Sequence, residues 1–111
     1  MSADPGSPVE LTIVTMTFNA SGAEAAEKLA DLLAKYVVIS RMHTGCRNID
    51  LCVSVTSSGR FVVIEKWESA AAQRAHFDST EMVDMAKACR PLLAGPPDVE
   101  LLDAISAHDL A

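Results

Sequence analysis

An α+β fold of the ferredoxin-like kind, a four-stranded antiparallel sheet with helices on one face in the order β-α-β-β-α-(α)-β, is what this sequence predicts. Three observations lead there. A β-branched run is followed at once by a long amphipathic helical pattern; two strand patterns meet across a short Ser-Ser-Gly turn; and a pair of capped helical patterns then leads to a last apolar strand. With 111 residues the chain can bury one real core and has no room for two domains.

The first strand is ELTIVTMTF, Glu10 to Phe18, rich in β-branched residues and bounded by Pro8 and by Asn19-Ala20-Ser21-Gly22. Ser21 with Glu24 three positions later has the spacing of a capping box, so a helix is expected to start there. Ala26, Leu29, Ala30, Leu33, Tyr36 and Val37 then recur at helical spacing and give it one apolar stripe. RNIDLCVSVT, Arg47 to Thr56, alternates Ile49, Leu51, Val53 and Val55 against Asn48, Asp50, Cys52 and Ser54, the period of a strand. Ser57-Ser58-Gly59 turns it back into RFVVIEKW, Arg60 to Trp67, which is apolar on both faces and belongs inside a sheet. Ser69 is placed to cap a helix from Ala70 to Phe77, and Asp78 with Glu81 to cap another that carries Met82, Met85, Ala86 and Cys89 on one face. Pro91 and Gly95-Pro96-Pro97 close that segment, and VELLDAI, Val99 to Ile105, supplies the last strand. The domain spans 9–106, with a Pro-Gly-Ser lead expected to be disordered over 1–8 and a tail over 107–111.

Half of the residues are apolar, 22% are charged and the mean hydropathy is +0.21, a rich mixture for a small monomer. The row Ile49, Leu51, Val53, Val55 and one row of the next strand cannot all lie under the same few helices. The uncovered sheet face is therefore expected to join two copies of the chain, as a homodimer. A net charge of −6 excludes the basic footprint that nucleic acids and anionic membranes require, so neither is expected as a partner. The N-terminus has no signal-peptide pattern and no run approaches a membrane span. Three unevenly spaced cysteines, Cys46, Cys52 and Cys89, fit reduced thiols, and the expected location is the cytoplasm. His43-x-x-Cys46 with Cys52 yields no four-ligand spacing, so no metal is expected, and no phosphate loop or dinucleotide fingerprint is present.

Thr44-Gly45-Cys46 before the second strand, followed by GRFVVIEKWESAAAQRAHF, resembles the antibiotic biosynthesis monooxygenase family. Its members read P-G-C there, then F-x-x-x-E-x-W-x-S, then H-F or H-L in the next helix. Glu65, Trp67, Ser69, His76 and Phe77 match, and Thr44 stands where proline is usual. The resemblance runs from about Thr44 to Met85 and implies a dimeric α/β barrel. Its branches include quinone-forming monooxygenases, haem-degrading enzymes and signal-molecule isomerases. The haem-degrading pattern fails here: the first strand has no asparagine, and the positions for its second tryptophan and its haem ligand hold His76 and Ala86.

The expected function is therefore cofactor-independent oxidation of a small electron-rich phenol or hydroquinone by O₂, with no cofactor bound. For that chemistry the protein supplies a dry pocket, a base and donors for the anion. The pocket is expected between sheet and helices, lined by Trp67, Phe77, Met82 and Met85, with His76 as catalytic base near neutrality and Arg41 or Asn48 as anion donors. Each residue also has a plainer use: Trp67 as core, Ser69 as cap, His76 as a hydrogen-bonded helix residue. Glu65, an acid on an apolar strand, needs a partner, either a backbone group or Arg41, Arg47 or Arg74. Two other functions fit the same residues, an isomerase or cyclase using the pocket for proton transfer, and a non-enzymatic dimer that binds a small ligand.

Overall fold

In the computed structural model residues 11–107 are described; the expected lead over 1–8 and most of the expected tail lie outside them. The elements are β1 (Thr12–Asn19), α1 (Ala23–Ser40), β2 (Cys46–Val53), β3 (Arg60–Trp67), α2 (Ala70–Phe77), α3 (Thr80–Cys89), a 3₁₀ turn (Arg90–Leu92) and β4 (Asp98–Asp103). The strands form one open antiparallel sheet in the order β2-β3-β1-β4, the ferredoxin-like arrangement, with all helices on one face. Among the described residues no helix is long and apolar enough to cross a membrane.

Register decides which residues meet the helices. Glu65 of β3 stands opposite Val14 of β1 and Ile49 of β2, and Val63 stands opposite Met16 and Leu51. Residues paired across antiparallel strands share a face, so the whole row packs under α1 and α3 around Leu29, Leu33, Val37 and Met85. This corrects the expected dimer surface. Ile49 is fully buried beneath the helices and Leu51 is half-buried there. The open face instead carries Ile13, Thr15 and Thr17 of β1, Val62, Ile64 and Lys66 of β3, Asp50 and Cys52 of β2, and Glu100 and Leu102 of β4. Val55 lies beyond β2 altogether, because the Ser54 hydroxyl accepts from the Thr56 and Ser57 amides and takes the chain out of the sheet after Val53.

Two caps also differ from expectation. The Ser21 and Glu24 box does not form: the Ser21 amide donates to the Leu92 carbonyl, Gly22 becomes the N-cap of α1, and Glu24 faces Lys28 at 3.8 Å. At α3 the cap is Ser79, whose hydroxyl accepts from the Met82 amide at 3.2 Å, while Asp78 takes the Arg74 guanidinium one turn back. Ser69 caps α2 as expected, accepting from the Ala72 amide.

Gly45 positions the site. Its φ of +83° belongs to the left-handed region, and a Cβ there would lie 2.4 Å from the Ala72 Cβ. Its carbonyl accepts from the Glu68 amide at 2.8 Å. The α1–β2 connection is thereby pressed against the start of α2, which brings His43 to His76.

Candidate functional site

Trp67 and Glu65 are two apart on β3, so their side chains rise from the same face. Trp67 is fully buried, and an indole N–H without water needs an acceptor. It donates to Glu65 Oε1 at 3.0 Å. The other carboxylate oxygen accepts from the Tyr36 hydroxyl of α1 at 2.6 Å. The partners expected for Glu65, Arg41, Arg47 or Arg74 or a backbone group, are thus replaced by a phenol and an indole. Neutral donors satisfy a carboxylate without a second buried charge to desolvate.

The line of hydrogen bonds continues outward. Tyr36 Oη meets His76 Nε2 at 2.7 Å, His76 Nδ1 meets His43 Nδ1 at 2.8 Å, and His43 Nε2 lies 3.2 Å from Glu81 Oε1 on α3. The His76 ring stacks on Trp67 with centroids 4.6 Å apart. Glu65 and His76 are 2% and 4% exposed, whereas the His43 side chain reaches 22% and Glu81 43%. The line therefore runs from solvent to the sheet.

Burial sets the titration of these groups. It raises the Glu65 carboxyl above the usual carboxylate value, against the pull of the Tyr36 and Trp67 donors. Burial first, and then the Glu65 charge, push the Tyr36 phenol far above the ordinary tyrosine value. His76 is not poised near neutrality as expected: burial, followed by the neighbouring His43, pulls it down to about 4, with Glu81 opposing. Its ring is neutral at pH 7. Neither ring nitrogen is open to a ligand in this arrangement.

A separate cleft of about 460 Å³ opens between α3 and the β1–β4 side of the sheet. Met16, Phe18, Met82, Met85 and Val99 make its walls apolar, and Arg90 is the charged residue among those lining it. Cys89 in its floor keeps its proton, since burial pushes the thiol up to about 11. Met85 also lines a smaller groove together with Tyr36.

The residues singled out from the sequence thus divide. Met82 and Met85 line the cleft. Trp67, Glu65 and His76 lie together in the polar line. Phe77 points outward, 43% exposed, with the Arg74 guanidinium 6.0 Å from its ring centre. Arg41 donates to the Ile49 carbonyl at 2.8 and 3.2 Å, and Asn48 donates to Asp50 at 3.0 Å on the exposed side of β2. Neither borders the cleft. Sequence reasoning missed Tyr36, read as one more member of an apolar stripe, and missed Arg90 entirely. Tyr36 had a signal: it is the one hydroxyl on that stripe, and a buried hydroxyl needs a partner. His43 was weighed only as a metal ligand, and among the described residues no group of His, Cys, Asp and Glu is arranged to hold one.

A sheet with helices on one face, an apolar cleft between them and a buried acid–phenol–imidazole line define a small α+β domain of the ferredoxin-like kind. A model of the antibiotic biosynthesis monooxygenase family matches residues 12–88, and the chain belongs to that family. At the level of the family this supports a monooxygenase, an oxidoreductase. The solved structures similar to it include Rv0793 of Mycobacterium tuberculosis, 25% identical with a TM-score of 0.82 over 89% of this chain and 99% of that one. A candidate antibiotic biosynthesis monooxygenase from Deinococcus radiodurans is 22% identical, with a TM-score of 0.82 over 90% and 98%. A variant of SnoaB, a cofactor-independent oxygenase from Streptomyces nogalater, is 20% identical with a TM-score of 0.76 over 90% and 97%; these last two share the fold. No curated protein matches the chain.

Proposed function

We propose that the protein is a cofactor-independent monooxygenase that oxidises a small electron-rich phenol or hydroquinone with O₂, as a cytoplasmic homodimer. The observation that carries this reading is the apolar cleft with Arg90 on its edge. An aromatic ring lies against Met82, Met85 and Phe18, and the guanidinium holds the phenolate oxygen, a charge-assisted contact that favours the ionised substrate. A phenolate is electron-rich enough to reduce O₂ directly. One oxygen atom enters the ring as a carbonyl, the other leaves as water, and the ring gives up one C–H and one O–H hydrogen. Apolar walls keep water from the intermediate. In this reading His76 lies outside the lining of the cleft and does not touch the ring.

The test is O₂ uptake with a panel of hydroquinones and naphthols. Uptake is expected in the parent, to be lost about tenfold or more in Ala86→Trp, which fills the cleft without touching the polar line. Arg90→Gln is expected to raise KM by about tenfold, the order of one charge-assisted hydrogen bond. Absence of uptake across the panel sinks the oxygenase reading. The buried proton-bearing line favours a second reading, an isomerase or cyclase moving a proton beside a carbonyl; a rearranged product formed with no O₂ consumed would establish it.

A further inference from the structure

The line from Glu81 to Trp67 can be filled with protons in two ways, and both leave every hydrogen bond made. In the first, Glu65 is a carboxylate accepting from Trp67 and from the Tyr36 hydroxyl. Tyr36 Oη then accepts from His76 Nε2–H, and the bare His76 Nδ1 accepts from His43 Nδ1–H. His43 carries its second proton on Nε2, against Glu81, and is a cation. In the second, Glu65 Oε2–H donates to Tyr36, Tyr36 to His76 Nε2, His76 Nδ1–H to His43 Nδ1, and neutral His43 keeps its Nε2–H on Glu81. The two fillings hold the same number of protons. They differ by shifting three of them, each across its own hydrogen bond, while the His43 Nε2 proton stays in place.

We propose that Glu65, Tyr36, His76 and His43 form a proton-transfer line that backs His43 with the buried carboxylate, making the hollow over His43 a general-base site for a small ligand with an ionisable hydroxyl. The hollow, about 370 Å³, is lined by Met42, His43, Thr44, Ala72, Ala75 and His76 and shares no residue with the apolar cleft. His43 is the more exposed of its two rings. With the His43 Nε2 proton released to solvent the line holds one proton fewer than in either filling, and a ligand hydroxyl that replaces Glu81 then gives up its proton to the bare Nε2. His43 Nδ1–H passes to His76 Nδ1, His76 Nε2–H to Tyr36, and the Tyr36 proton to Glu65 Oε2. One ligand O–H bond breaks, one Glu65 O–H bond forms, and the negative charge moves from the carboxylate to the ligand oxygen. His76 stays neutral throughout. The charged and titratable groups around the line are Glu65 on β3, Tyr36 and Lys35 on α1, Cys46 on β2, His43 on the connection, His76 on α2, and Glu81 with Asp84 on α3. This goes beyond the cleft reading and is tested without any substrate of the cleft.

Glu65→Gln separates the two fillings. Its amide oxygen accepts from Trp67, and its NH₂ can only donate to Tyr36, which locks the second filling with the fold intact. Ring ¹⁵N shifts of ligand-free protein are expected to place the His76 proton on Nε2 in the parent and on Nδ1 in Glu65→Gln. Glu81→Gln, at an exposed position, removes the carboxylate that faces His43 Nε2 and is expected to move His76 part of the way toward Nδ1–H. If neither variant changes the His76 tautomer, the line is structural and the proposal falls. Titrated with 4-nitrophenol, the parent is expected to shift the bound phenol toward phenolate by about tenfold relative to Glu65→Gln, the scale of a general base gained or lost. Failure of the phenol to bind, or an equal shift in both proteins, overturns the general-base site.

Discussion

Lowering the pH should remove the stability that His76 contributes, by an amount the structure sets. Its ring is held neutral by burial, with a folded value of about 4 against 6.5 for a free histidine. Between those values the unfolded ring binds a proton that the folded ring refuses, so the unfolded state gains protons and stability falls as pH falls. The contribution is complete above about 6.5 and is lost on the way down to about 4. At about 1.4 kcal/mol per unit the whole shift is worth about 3 kcal/mol, of which about 2 is lost by pH 5. Glu65 works in the opposite sense. Its carboxyl is raised, so the folded state takes up that proton first and gains stability as pH falls. The slope of the parent protein is therefore a sum, and a variant is needed to isolate one part. His76→Gln does so, because its amide can still meet Tyr36 and does not titrate. Urea unfolding of both proteins at about pH 7 and pH 5 is expected to show the parent losing about 2 kcal/mol more than the variant. Parallel losses would mean that the folded ring accepts a proton freely, and the argument from its burial would be wrong.

Trp67→Phe keeps an aromatic ring but leaves Glu65 Oε1 without its donor; a loss of about 1–3 kcal/mol is expected in chemical unfolding, against about 3–5 for Trp67→Ala, and no loss in Trp67→Phe would mean the hydrogen bond adds nothing. Gly45→Ala must strain its positive φ and drive a Cβ into Ala72, so it is expected to lower the melting temperature and to move the His43 ring signals in NMR; an unchanged melt would show that the connection has slack. Light scattering after gel filtration is expected to give a dimer that Ile64→Glu, on the open face of the sheet, converts to a monomer. A dimer that survives this charge would place the contact elsewhere.

The sequence carried the periodic information and not the relational kind. The stripe on α1 and the hairpin of β2 and β3 were legible because alternation and helical spacing report which residues share a face. They do not report which face that is. Ile49 and Leu51 looked available for a partner molecule until the pairing Ile49↔Glu65 put them on the helix side. The same limit governs the site. Glu65 announced itself as an acid on an apolar strand, but Tyr36 and His76 lie 29 and 40 positions from their partners, and no local pattern spans such distances. Charge pairing suggested an arginine; burial favoured a phenol. Once Glu65 and Trp67 share a strand face, the rest follows by obligation. The buried indole N–H takes one carboxylate oxygen, and the other requires a donor that can be buried without charge. Tyr36 supplies it and is left with an acceptor to satisfy, which His76 meets from the adjacent helix. Its far nitrogen then needs a partner, and Gly45 is the residue that lets the chain bring His43 close enough to be one. The tryptophan, acid and histidine therefore close the core and order a proton path by the same contacts. Removing the path would mean leaving a buried donor or acceptor unmet, at about 1–3 kcal/mol for each group so left.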